Sequence, residues 1–167
     1  MFVNYNSFKM KILLNSGFTA LALIVLLTYS GCGPDPVTPS AEEVQLGKLQ
    51  GTWKVNPGGN VTRDNVSKST EYTNFTLTLS GTAGNPTFDY TTTGREIPSP
   101  WPASGKWKFG GSPETVVIRD PDSPNDTIEM MYTVTDSTLE ITFTFSNATG
   151  YSRTKQVVGT WVFTLKK

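Results

Sequence analysis

The run Thr138-Leu139-Glu140-Ile141-Thr142-Phe143-Thr144-Phe145 sets Leu139, Ile141, Phe143 and Phe145 on one side of an extended chain, with Glu140, Thr142 and Thr144 on the other. Strict alternation with β-branched threonine on the wet side marks a strand buried on one face. The same period of two continues outward in both directions. Downstream, Trp161, Phe163 and Leu165 oppose Thr160, Val162 and Thr164. Upstream, Ile128, Met130, Tyr132 and Val134 oppose Glu129, Met131 and Thr133, preceded by Val116 and Ile118 and by Trp107 and Phe109. Further back stand Phe88 and Tyr90, then Phe75, Leu77 and Leu79, then Trp53 and Val55. That makes eight strands. Gly110-Gly111-Ser112-Pro113, Asp136-Ser137 and similar punctuation make several connections short enough for hairpins, so the pairing is antiparallel and sequential. Eight such strands with one apolar face are expected to close into an up-and-down barrel, because closure removes exposed edges. A β-sandwich is the alternative.

Ahead of the first strand, Ser40-Ala41-Glu42-Glu43 has the spacing of a capping box and predicts a short helix of about two turns, with Val44 and Leu49 among its apolar residues. Gly33-Pro34-Asp35-Pro36-Val37-Thr38-Pro39 reads as an extended tether. Residues 1–31 carry no acid, place Lys9 and Lys11 before an apolar run from Ile12 to Leu27, and end on Ser30-Gly31, the pattern of an export signal. Ser30-Gly31-Cys32 resembles a bacterial lipobox, with Tyr29 where an aliphatic residue is usual. The resemblance implies that Cys32 is acylated with fatty acids such as palmitate and becomes the mature N-terminus. Several acyl chains anchor firmly where one binds only marginally. The expected domains are a signal peptide at 1–31, a lipidated cysteine and tether at 32–40, and a barrel at 41–167.

Composition excludes much chemistry. Among 167 residues there is no histidine and one cysteine. His-dependent nucleophile systems, His-ligated zinc and internal disulfides are therefore out. Fourteen basic and fourteen acidic side chains balance, with no Lys/Arg cluster, which speaks against a nucleic-acid partner. Glu129 and Glu140 fall on the polar faces of their strands and read as solvated charges, so no enzyme and no cofactor are expected. Asp120, Asp122 and Asp126 form the densest acidic stretch and are weak candidates for Ca²⁺, but Asp, Pro, Ser and Asn are also ordinary turn residues.

Three Gly-x-Trp triplets, at Gly51, Gly105 and Gly159, are each followed two places on by Val55, Phe109 or Phe163. The residues between them do not match, so this is no internal repeat, and each Trp reads as a large inward side chain. The loop Gly94-Arg95-Glu96-Ile97-Pro98-Ser99-Pro100-Trp101-Pro102-Ala103-Ser104 is stiffened by proline. It offers Trp101 and Arg95 as surface contacts, or folds Trp101 back onto the barrel wall.

Gly51-Thr52-Trp53 after a short helix, Thr133 to Phe145, and Val158-Gly159-Thr160-Trp161-Val162-Phe163-Thr164-Leu165 are similar to the lipocalin-like lipoproteins of Bacteroidota, from about Glu42 to Lys167. That likeness implies an eight-stranded barrel plugged at one end by the helix. It also implies a late-strand arginine packed on the opening Trp, for which Arg153 lies near the final strand but not clearly on it. The expected function is binding of a small apolar or amphipathic ligand in the barrel, lined by Trp53, Tyr90, Trp101, Trp107, Tyr132, Phe143 and Trp161. The alternative is a filled barrel that meets protein or glycan through its loops. A monomer held on the bacterial outer membrane by its N-terminal lipid is expected, with the face of that membrane left open.

Overall fold

The computed structural model describes residues 38–124, 126–146 and 157–167. The leader, Cys32 and Arg153 lie outside the described residues. Helix α1, Ala41–Leu49, starts at Ser40, whose hydroxyl accepts from the Glu43 N–H while the Glu43 carboxylate accepts from the Ser40 N–H at 2.7 Å. Both halves of the capping box are therefore formed. Leu46 and Leu49 turn into the core and Val44 stays outside.

Ten strands follow among the described residues: β1 Gly51–Lys54, β2 Asn60–Arg63, β3 Val66–Ser67, β4 Thr76–Ser80, β5 Phe88–Thr93, β6 Ser104–Phe109, β7 Val116–Arg119, β8 Ile128–Val134, β9 Thr138–Phe145 and β10 Gly159–Lys166. From β4 to β10 each strand pairs antiparallel with the next, and β1 joins β4 on one side and β10 on the other, at Lys54–Lys166. The ring is thus a closed eight-stranded antiparallel barrel, with one short helix among the described residues.

β2 and β3 are additions that the alternation did not reveal. β2 resumes the line of β1 along β10, pairing Asn60 with Thr164 and Arg63 with Trp161, after residues 55–59 arch out of the wall. Gly59 closes that arch, its N–H donating to Val55 O, and a Cβ there would overlap both Thr164 O and Val55 O. β2 then turns into β3 through Asp64 and Asn65, both at positive φ (50° and 64°), the backbone of a tight two-residue hairpin.

α1 lies across the end where β1 begins. Leu49 O accepts from Trp53 Nε1, and the Gln50 amide donates to Gly81 O in the β4–β5 connection. Lys167 Nζ lies 4.5 Å from the centre of the Trp53 ring and donates to Lys48 O. Among the described residues the cation on the opening tryptophan is thus a lysine, Lys167, where the likeness implied an arginine. Inside, aromatic rings interlock: Phe143 stacks on Phe163 at 6.1 Å and 8°, and Tyr72 meets Phe75, Trp161 and Phe163 edge-on. Such pairs add about 0.5–1.5 kcal/mol each beyond their buried area.

Candidate functional site

The seven aromatics expected to line a cavity are all buried, and they fill the barrel. Tyr90, Trp101, Trp107 and Tyr132 meet around an interior void of about 10 Å³, together with Leu49, Arg119 and Ile141. That is about the room of a single water molecule. Phe143 joins them through an edge-to-face contact with Trp101 at 5.7 Å. Trp53 sits apart under α1, and Trp161 packs beside Tyr72.

The polar tips of these rings are used internally. Trp107 Nε1 donates to Asp89 O, Trp161 Nε1 to Val157 O, and the Tyr132 hydroxyl to Pro113 O. Burial, assisted by Glu114, pushes the Tyr132 phenol up to about 12. Trp101 differs: its indole N–H is buried with no acceptor among the described residues.

Trp101 overturns the surface-contact expectation. Only 1% of it is exposed, and its ring lies within 6.3 Å of Phe75, Tyr90, Phe143 and Phe163. The loop between β5 and β6 folds back over the barrel mouth because an indole there buries far more apolar surface than it could in solvent. The loop is fastened by Thr92, whose N–H donates to Ala103 O and whose hydroxyl donates to Pro102 O, and by Arg119 Nη1 donating to Pro100 O at 2.7 Å.

Arg119 is the residue that alternation misplaced. Val116 and Ile118 were expected to face inward on β7; instead Val117 and Arg119 do. The guanidinium, 1% exposed, lies 5.2 Å from the Trp101 ring centre and 5.7 Å from that of Phe143, and its Nε donates to Asp120 at 3.2 Å. A charge can occupy an inward position when a carboxylate pairs with it and aromatic faces cover it.

Asp120, a weak candidate for Ca²⁺ above, completes the network. Its carboxylate accepts from the Tyr90 hydroxyl, the Lys106 N–H and Arg119 Nε. Gly105 makes room, since a Cβ there would overlap both the Asp120 carboxylate and the Tyr90 hydroxyl. Asp122 and Asp126 line one surface cleft of about 330 Å³ with it, and no group of three acids or thiols able to hold a metal is found among the described residues.

Ligand-sized space lies outside the interior. A cleft of about 320 Å³ opens between the β3–β4 connection and the Trp101 loop, walled by Arg63, Lys68, Glu71 and Glu96. A second, of about 420 Å³, opens where the β8–β9 ladder stops at Met131–Thr142 although both strands run on. No signal in the periodicity pointed to either: the first joins segments remote in sequence, and the second opens where two consecutive strands part.

No family model, no curated protein and no solved structure matches the chain. What fold and site define is a closed antiparallel β-barrel whose mouth is stoppered by its own tryptophan.

Proposed function

We propose that this protein is a lipid-anchored module of the bacterial cell envelope that binds protein or glycan through the loop end of a filled barrel. The observation that carries the reading is the interior void of about 10 Å³, against the roughly 300–1,000 Å³ of ordinary small-molecule sites. α1 lies at the end where β1 begins, and the connections after β5 and β7 lie at the opposite end of the barrel. A rigid, full barrel keeps those connections in place at little entropic cost on binding.

One observation favours a second reading, a carrier of a small amphipathic molecule. The unpaired indole N–H makes Trp101 a less than fully satisfied stopper, and its departure would expose Phe75, Phe143 and Arg119 to a ligand.

Native mass spectrometry of the full mature chain, extracted in mild detergent from its own host's envelope, tests both. The filled-barrel reading expects the mass of the lipidated chain alone. A bound mass of a few hundred daltons that leaves on denaturation would establish the carrier instead.

A further inference from the structure

Beside the barrel mouth, the hairpin β2–β3 and the segment after it face the exposed half of the Trp101 loop across the 320 Å³ cleft. Its charges are balanced, Arg63 and Lys68 against Glu71 and Glu96. They are also engaged locally: Lys68 pairs with Glu71 at 2.7 Å, and Arg63 lies 5.7 Å from the Trp161 ring centre. Such a wall offers no net Coulomb attraction to a polyanion or a polycation. It does offer charged donors and acceptors side by side, and hydrogen bonds to charged groups are the strong ones.

The rest of the cleft is apolar. Pro98 and Ile97 supply its accessible apolar surface, Ile97 at 76% exposure, while Tyr72 and Trp161 line it with no more than 2% of their surface exposed. Ile97 is the most exposed of the large hydrophobic residues described, and it sits on a loop whose next ring, Trp101, is fully buried. The Tyr72 phenol, hydrogen-bonded to Ser99 and pushed up to about 12 chiefly by burial, stays protonated at any physiological pH.

Dense, mutually neutralised polar groups beside an apolar lip match a ligand that is uncharged, carries many hydroxyls and has an apolar ring face. We infer that this cleft binds a neutral saccharide, with Glu96 and the Lys68–Glu71 pair meeting hydroxyls and Ile97 covering the C–H face of a ring. This rests on the loop-end reading above and names its ligand class.

The test is a nuclear magnetic resonance titration of the full mature chain in detergent micelles. The signals followed are the Ile97 methyl and the Trp161 indole N–H, and the probes are cellotriose, maltotriose, mannotriose and N,N′-diacetylchitobiose. The expected result is a saturable shift of both signals by at least one probe, with a dissociation constant of about 1 mM or tighter. Glu96→Gln and Ile97→Ser, both at exposed loop positions, should each weaken it about tenfold while leaving the melting temperature unchanged. The inference falls if none of the four moves these signals, if glucuronic acid or glucosamine binds tenfold tighter than any of them, or if the two variants bind as well as the parent. A probe that leaves Ile97 still and shifts the Trp101 and Tyr90 signals would overturn the loop-end reading itself, by placing the ligand inside the barrel.

Discussion

The guanidinium of Arg119 lies over the ring of Trp101 at 5.2 Å, and through Nη1 it also holds Pro100 O, one residue before that ring. One inward arginine thus fastens both the stopper and the loop that carries it. Removing it leaves the Asp120 carboxylate, only 12% exposed, without its cation. Breaking a buried pair from one side costs about 3–5 kcal/mol. Arg119→Met should lower unfolding stability by that amount in urea titration, and adding Asp120→Asn should restore part of it. A loss below about 1 kcal/mol would show that the pair carries little of the fold.

Trp101→Ala should cost about 3–5 kcal/mol, the range for deleting a large buried aromatic. Because the ring is held by contacts on several sides, the space it leaves is shaped for an indole. Free indole added to the variant should raise its melting temperature in a concentration-dependent way and leave the parent unchanged. If indole has no effect on the variant, the mouth has collapsed and the loop closes it without its tryptophan.

The strands were legible because water and core impose a period of two on their side chains. Phe75-Thr76-Leu77-Thr78-Leu79 keeps that period, and Thr76 and Thr78 do stand on the outer face, where their hydroxyls pair with Thr93 and Thr52. β7 misled because Arg119 occupies an inward position, and hydropathy alone assigns an arginine to solvent. β2 and β3 escaped because they are short and send a single apolar side chain, Val61, into the core; only Asp64-Asn65, a dipeptide tolerant of positive φ, marks their turn. The mouth was unreadable for a different reason. Trp101, Arg119 and Phe143 come from a loop and two strands, and nothing local in the chain records that they meet.

Cys32→Ser separates the anchor from the fold. On the proposed anchoring, the variant should move from the detergent phase to the aqueous phase on cloud-point partition of envelope extracts, because it lacks the thiol proposed to be acylated. Its melting temperature should match that of the parent, since the described barrel runs from Pro39 to Lys167 without Cys32. Continued detergent partition by the variant would mean that the membrane is held by something other than lipid on that cysteine.

Alkaline pH tests the burial of two phenols. Tyr72 and Tyr132 are both pushed from 10.0 to about 12, mainly because burial disfavours the phenolate. In the unfolded chain these groups lose their protons near pH 10, so between pH 10 and about 12 the folded state binds more protons than the unfolded one. Stability then falls as pH rises. The contribution of the two phenols is complete below pH 10 and is lost as pH climbs through about 12. Urea midpoints measured from pH 8 to 12 should therefore stay level at first and decline above pH 10. Replacing Tyr72 with Phe removes its titration but keeps the ring that packs on Trp161 and Phe163, so the decline should become shallower. Phenolate absorbance at 295 nm provides the independent check. In the folded protein the signal of these two residues should lag behind that of the urea-unfolded chain and arrive together with unfolding. Coincident titration curves in the two states would place both hydroxyls in water and contradict the packing at the mouth and at Pro113.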